Sequence, residues 1–192
     1  MSRIVFLLEE ASMREVLEVI LPKILPSDVG FLTIPHQGKQ DLEKSIPRKL
    51  KGWNVPGDRF VVVRDKDAGD CVVIKNNLRE ICELAGKTDV LIRIVCHELE
   101  AWYLGDWRAV AEAYEKPTLA DLQKKTIFRK PDNRVSPLTD ILRKVPEYQK
   151  VSGSQKIAPH LNLENNLSHS FQVFLSGVQK LAQTMSEGIP AP

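Results

Sequence analysis

Phe60-Val61-Val62-Val63-Arg64-Asp65-Lys66-Asp67 is the stretch on which the reading of this chain turns: four apolar, β-favouring residues run straight into two acids set two positions apart. It is the clearest strand signal in the sequence. Ile4-Val5-Phe6-Leu7-Leu8 is a second apolar run without polar alternation, the pattern of a strand covered on both faces in a parallel sheet, and it too ends in acids, Glu9-Glu10. Phe31–Ile34 and Val90–Val95 read as two further strands. Between them lie helical stripes. Val16, Leu17, Val19 and Ile20 follow a capping box of Ser12 and Glu15 and end near Pro22. Leu42, Ile46 and Leu50 recur every four residues, with Pro47 marking a kink or a restart. Ile74, Leu78, Ile81 and Ala85 are closed by Gly86. The order β-α-β-α-β-α-β implies an α/β fold with a Rossmann-like, mostly parallel four-stranded sheet flanked by helices on both faces.

From about Gly105 onward only helical signals remain, so the expected organisation is an α/β core over 1–105 and a helical C-terminal extension over 106–192 packed on it. Asp106 precedes an Ala-rich segment, Thr118 precedes Leu119 and Leu122, and Ser136-Pro137 reads as N-cap and first helical residue. A last amphipathic helix carries Phe171, Phe174, Leu175, Val178, Leu181 and Met185 on one face. Gln149–Asn166, with its Gly, Ser, Asn and Pro, reads as an ordered surface loop, and Gly188–Pro192 as a frayed tail.

The 192 residues, 43% hydrophobic and 27% charged, suit one globular unit and exclude disorder or a fibre. No apolar run is long enough to span a bilayer or to serve as a secretory signal, so a soluble cytoplasmic protein without membrane contact is expected. Three cysteines, Cys71, Cys82 and Cys96, cannot pair evenly and point to reduced core residues rather than a disulfide framework. The net charge of +2 hides an asymmetry, since residues 1–115 hold 16 Lys and Arg against 19 Asp and Glu and residues 116–192 hold 11 against 6. An acidic first part and a basic second part suit a metal site beside a polyanion-binding surface. Lys124, Lys125, Arg129 and Lys130 are the candidates for that surface, with a solvated basic face as the alternative.

In an open α/β sheet ligands bind outside the carboxyl ends of the strands. Those ends are acidic here: Glu9-Glu10, then Asp65 and Asp67 with Asp70 behind, then Glu98 and Glu100. Crowded carboxylates raise one another's pKa unless a hard cation such as Mg²⁺ neutralises them. Asp65 and Asp67, two apart, would share one face of an extended segment. Glu98 and Glu100 either complete a metal cluster or cap a short helix, and Trp102 either offers a stacking surface or packs in the core. Lys39, near the end of the second strand, is placed to touch a phosphate, although Gly38-Lys39 lacks the glycine spacing of a P-loop. Ser152-Gly153-Ser154-Gln155-Lys156 combines small donors with a cation that could hold another phosphate. The four histidines are too scattered for a structural zinc site, and no Gly-x-Ser-x-Gly elbow occurs.

Val5-Phe6-Leu7-Leu8-Glu9 and Val61-Val62-Val63-Arg64-Asp65-Lys66-Asp67 together resemble the Toprim superfamily, the catalytic domain of topoisomerases, bacterial primases and several nucleases. The wider pattern, with His36-Gln37-Gly38-Lys39, Glu98–Asp106 and Asn166–Phe171, resembles a bacterial Toprim-like family of unknown function over nearly the whole chain. The resemblance implies that Glu9 acts as general acid or base and that Asp65 and Asp67 bind Mg²⁺ or Mn²⁺; Glu9 and, from its place after the fourth strand, Glu100 are candidate further ligands. One departure is Glu10, where the superfamily often has Gly, and either Glu9 or Glu10 could face the site. By the same resemblance the expected function is a Mg²⁺-dependent nuclease acting on DNA or RNA; from charge and position, Lys39, Lys124, Lys125, Arg129, Lys130 and Lys156 are the candidates for holding its substrate. Toprim-like nucleases often work beside an ABC-type ATPase in defence against phage, which makes such an ATPase an expected partner. The alternative is a non-hydrolytic regulatory or interaction subunit that binds a nucleotide or a protein.

Overall fold

The uninterrupted apolar runs become the four strands of one all-parallel sheet. The structure, a computed structural model, describes residues 2–187. Strands β1 (Arg3–Leu8), β2 (Gly30–Pro35), β3 (Arg59–Asp65) and β4 (Leu91–Val95) lie in the order β2-β1-β3-β4. Leu8 stands beside Pro35 on one side and Val63 on the other, and Asp65 stands beside Val95. Alternate residues of each strand go to opposite faces, and both faces are covered by helices. On one, Ile4, Phe6, Leu8, Val61 and Val63 pack against helix α1 (Ala11–Ile24) and the C-terminal helix. On the other, Val5, Leu7, Phe60 and Val62 pack against α2 (Lys39–Gly52) and α3 (Cys71–Leu84).

Local signals explain most element ends. Asp70 accepts from the backbone N–H groups of Val72 and Val73 and starts α3, and Gly86 takes φ +82° just past its end, where a side chain would be strained. Two local expectations are corrected. The helix α1 begins at Ala11 with Glu10 at its N-cap, so Ser12 lies inside the first turn and Glu15 bonds Arg14 and Gln155 instead of closing a capping box. Pro22 falls inside α1, which continues to Ile24. Pro47 likewise lies within an unbroken α2.

The second part of the chain is helical throughout its regular elements: α4 (Glu100–Leu104), α5 (Trp107–Ala113), α6 (Pro137–Leu142), α7 (Lys150–Ile157) and α8 (His169–Ser186). Asp106 caps α5 through Ala109 N–H, and Ser168 caps α8 through Phe171 N–H. Pro117–Lys124 forms a 3₁₀ helix that starts at Pro117 rather than after Thr118. The expected loop at Gln149–Asn166 holds only from Leu161 onward; before it the chain forms α7 and a short 3₁₀ turn, Ala158–His160. Tertiary packing overrides the loop-like composition there. Gly153 lies so close to the Tyr148 ring that a Cβ would stand 2.3 Å from it, and Ser154 and Ile157 are fully buried. The expected frayed tail, 188–192, lies outside the described residues.

Trp102, Trp107, Phe171 and Phe174 join the sheet face that α1 covers, so the helical extension shares a core with the sheet. Trp102 is wholly buried, stacked against Phe171 and Phe174 at 4.9 and 5.2 Å between ring centroids, and offers no surface to a base. Cys82 is buried, Cys71 and Cys96 are half-buried, and all three are free thiols.

Candidate functional site

The chain leaves β1 toward β2 on one side and returns to β3 on the other. The strand order therefore reverses between β1 and β3, and the crevice at their carboxyl ends is where an open α/β sheet takes a ligand. Glu9 and Asp65 occupy that point. Glu9 directly follows β1, its N–H donates to Val63 O at 3.2 Å, and its Oε2 accepts the Asp65 N–H at 3.0 Å. The carboxylate thus ties the end of β1 to the end of β3. Arg64 places Nε 3.9 Å from Glu9 Oε2 while its Nη1 donates to Glu43 at 2.6 Å.

Glu10 and Glu100 close in from either side. Lys150, at the start of α7, donates from Nζ to both Glu10 oxygens at 2.9 and 3.2 Å. Glu100, the first residue of α4, is 1% exposed; the Tyr148 hydroxyl donates to its Oε1 at 2.8 Å, and its Oε2 is buried without a partner. A cavity of about 10 Å³ lies against Glu9, Glu10 and Asp65, at the lower limit for a single water.

The electrostatics follow from burial and crowding. Desolvation, with the charges of Glu9, Glu100 and Glu10, pushes the Asp65 carboxyl well above the ordinary carboxylate range, and Lys150 opposes the shift. Burial also raises Glu9, against the pull of the Asp65 N–H, and raises Glu100, against the Tyr148 hydrogen bond and Lys150. Burial acts against the Lys150 charge, but Glu10, Glu100 and Asp65 outweigh it and raise the ammonium's pKa. One cation and the edge of an Arg64 guanidinium thus face four carboxyl groups.

Asp67 does not share a face with Asp65. After Asp65 the chain turns: Lys66 N–H bonds Val95 O, Asp67 N–H bonds His97 O, and Asp67 and His97 take φ of +53° and +60°. Left-handed conformations at non-glycine residues cost free energy and gather at functional edges. The Asp67 carboxylate is turned to Lys39, whose Nζ lies 2.9 Å away and whose pKa the pair raises. Lys39, at the start of α2, therefore stands at the same sheet edge.

The other predicted cations lie elsewhere. Lys124 pairs with Asp121, and Arg129 and Lys130 line an open surface groove with Arg134. Lys125 follows the 3₁₀ helix Pro117–Lys124 directly and leads into a short 3₁₀ turn, Thr126–Phe128, and Lys156 sits over the Tyr114 ring at 5.3 Å. The Ser152–Lys156 segment lies within α7, where Gly153 N–H is taken by Gln149 O, so it is not a phosphate-holding loop. Glu98 accepts from Leu138 N–H at 2.9 Å and anchors α6.

Sequence reasoning missed Lys150 and Tyr148. Neither carries a local signal, because their partners Glu10 and Glu100 lie 140 and 48 residues away.

A family described as Domain of unknown function (DUF4276) matches the chain over residues 8–179. The chain belongs to this family. The match takes in Glu9, Asp65, Asp67, Glu100 and Lys150, so the whole carboxylate edge lies inside the family's domain. No curated protein and no solved structure matches the chain. No described helix is long and apolar enough to cross a membrane.

Proposed function

We propose that the chain is a Mg²⁺- or Mn²⁺-dependent nuclease hydrolysing phosphodiester bonds in DNA or RNA, a Toprim-like reading of the site. The observation that carries the proposal is the position of Glu9 and Asp65 at the strand-order reversal, with acids raised by burial and then by one another's charge, and a buried, unpartnered Glu100 oxygen. An oxygen-only donor set suits a hard cation. Among the described residues no three His, Cys, Asp or Glu side chains are grouped to hold a metal ion. An ion here would therefore rest on one or two carboxylates, with waters and substrate phosphates filling the remaining positions.

Asp65 and Glu9 would hold the ion, with Asp67 and Glu100 next to them. Bound there, it would polarise a phosphoryl oxygen and favour ionisation of a water. Glu9, whose carboxyl is raised by burial, would serve as general acid or base, and the Asp65 N–H fixes its orientation. Lys39 is placed to meet a phosphate once Asp67 releases it. Lys124, Lys125, Arg129, Lys130 and Lys156 would grip the nucleic-acid backbone. An ABC-type ATPase acting in phage defence is the partner this reading favours.

A second reading, a non-hydrolytic subunit that binds a nucleotide or protein, draws on a specific observation. Glu10 and Asp67 are already held by Lys150 and Lys39, and the cavity beside Asp65 is too small for substrate. Titrating Mg²⁺ and Mn²⁺ into the wild type, Asp65→Asn and Asp67→Asn separates the two readings. Thermal stability and cleavage of mixed DNA and RNA are recorded together. A nuclease is stabilised by the ion and cleaves, and loses both responses in Asp65→Asn. Undiminished cleavage by that variant refutes the role of Asp65, and stabilisation without cleavage favours the second reading.

A further inference from the structure

The amino end of the sheet carries a second charged feature, remote from the carboxylates. β4 is an edge strand, and a groove of about 380 Å³ opens between α3, the segment leading into β4, and α8. Arg79, Arg93 and Lys180 line it. Arg93 is the deepest of the three. Its guanidinium lies directly on α8 at Gly177, where a Cβ would stand 1.9 Å from Nη2 and 2.6 Å from Nε, so only glycine admits it. Nη1 donates to Ile92 O at 3.1 Å, and Nε is buried with no partner.

No carboxylate among the described residues pairs with Arg93. The one acid lining the groove, Asp89, is held by Arg59 at 3.2 Å. Burial lowers the Arg93 pKa, the direction for a cation desolvated without a counter-ion, yet a guanidinium stays charged in proteins. A half-buried cation flanked by two more, beside a neutralised acid, leaves an uncompensated positive field in a concave site.

We propose that this groove binds a phosphate monoester, with Arg93 as anchor and Arg79 and Lys180 as flanking charges. Three cations suit a dianion better than a single carboxylate, and a charged guanidinium strengthens each hydrogen bond to phosphate oxygen. Leu91 and Leu181 form an apolar wall, so the ligand has an organic body beyond its phosphate. Two sources share that chemistry: a free nucleoside monophosphate and the terminal phosphate of a nucleic-acid strand.

Calorimetric titration of the full chain at low salt tests the site with five probes: inorganic phosphate, a nucleoside, its 5′-monophosphate, and one oligonucleotide with and without a 5′-phosphate. The monophosphate binds, the nucleoside does not, and inorganic phosphate binds more weakly than the monophosphate. A 5′-phosphorylated oligonucleotide that outbinds both its 5′-hydroxyl form and the mononucleotide identifies a strand end as the source; a mononucleotide that binds at least as well identifies the free nucleotide. The exposed double variant Arg79→Glu/Lys180→Glu weakens binding about tenfold or more, the usual loss for charge-assisted contacts. Gly177→Ala, which displaces the guanidinium, also weakens it. Equal affinity for nucleoside and monophosphate, or wild-type affinity in the double variant, overturns the proposal.

Discussion

Lys150→Met is the sharpest test of the charge balance at the carboxylate edge. The substitution keeps an unbranched apolar stem and removes the ammonium that bonds both oxygens of Glu10 and faces Glu100 and Asp65. The Lys150–Glu10 pair is a little over one-third exposed on each side, 37% and 36%, so solvent screens it. We assign it about 1 kcal/mol, the upper end for such pairs. Attraction to the two more deeply placed acids adds on the order of 1 kcal/mol at the effective dielectric of a protein surface. A loss of ~2 kcal/mol in a chain of this size lowers Tm by roughly 4–8 °C.

The pH dependence gives the prediction its sign. Lys150 is raised above its ordinary value, so its own protonation is complete below about pH 10 and does not change through the acid and neutral range. Asp65 and Glu100 are raised as well, so the stability tied to their protonation is present below their unfolded values near 4 and is lost as pH rises through their folded values. Removing Lys150 raises both further. The variant is therefore weakest at neutral and higher pH and approaches the wild type as the acids protonate. Denaturant unfolding of both proteins at about pH 7.5 and pH 4.5 measures this difference, and the loss shrinks in an Asp65→Asn background. An equal loss at both pH values, or one unchanged by Asp65→Asn, would mean that Lys150 acts through the packing of its stem, and the electrostatic reasoning fails.

Two further variants probe the core that holds the site. Trp102→Ala removes a fully buried ring stacked on Phe171 and Phe174, and costs about 3–5 kcal/mol in chemical denaturation; a cost below about 1 kcal/mol would contradict its place in the core. Gly153→Ala drives a methyl into the Tyr148 ring and destabilises by about 1–3 kcal/mol. It also disturbs the Tyr148 hydroxyl that holds Glu100, so any metal response weakens with it; full stability in this variant would show that α7 yields at no cost.

The fold was legible because its two central strands, β1 and β3, are buried on both faces. Ile4–Leu8 and Phe60–Val63 carry no polar interruption, and in the structure their residues divide cleanly between two apolar layers. Helix positions followed from apolar spacing, as with Leu42, Ile46 and Leu50, all buried on α2. Local grammar failed where distant contacts decide. Pro22 and Pro47 read as breaks but sit inside helices, and Gly153 reads as a loop residue but lets α7 press against Tyr148. Glu10, not Ser12, marks the start of α1, because Glu9 and Glu10 are pinned by Asp65 N–H and Lys150 before the helix begins.

The candidate site was legible in the same uneven way. Acids after three neighbouring strands must meet at one sheet edge once the sheet is parallel, so Glu9, Asp65 and the segment to Glu100 could be placed from sequence. Their countercharges could not. Lys150 reaches Glu10 from a segment whose composition reads as loop, and Lys39 meets Asp67 only because Asp67 takes a left-handed backbone conformation that periodicity does not encode. This difference governs the chemistry. Read from the sequence, the edge holds carboxylates in need of a cation; in the folded chain Lys150 and Lys39 already meet part of that need, while Asp65, Glu9 and Glu100 keep raised pKa values and Glu100 keeps an unbonded oxygen. An arriving divalent ion would therefore compete with two lysines for Glu10 and Asp67 but with no ammonium hydrogen bond at Asp65 or Glu9, and any metal-dependent activity should depend most steeply on those two residues.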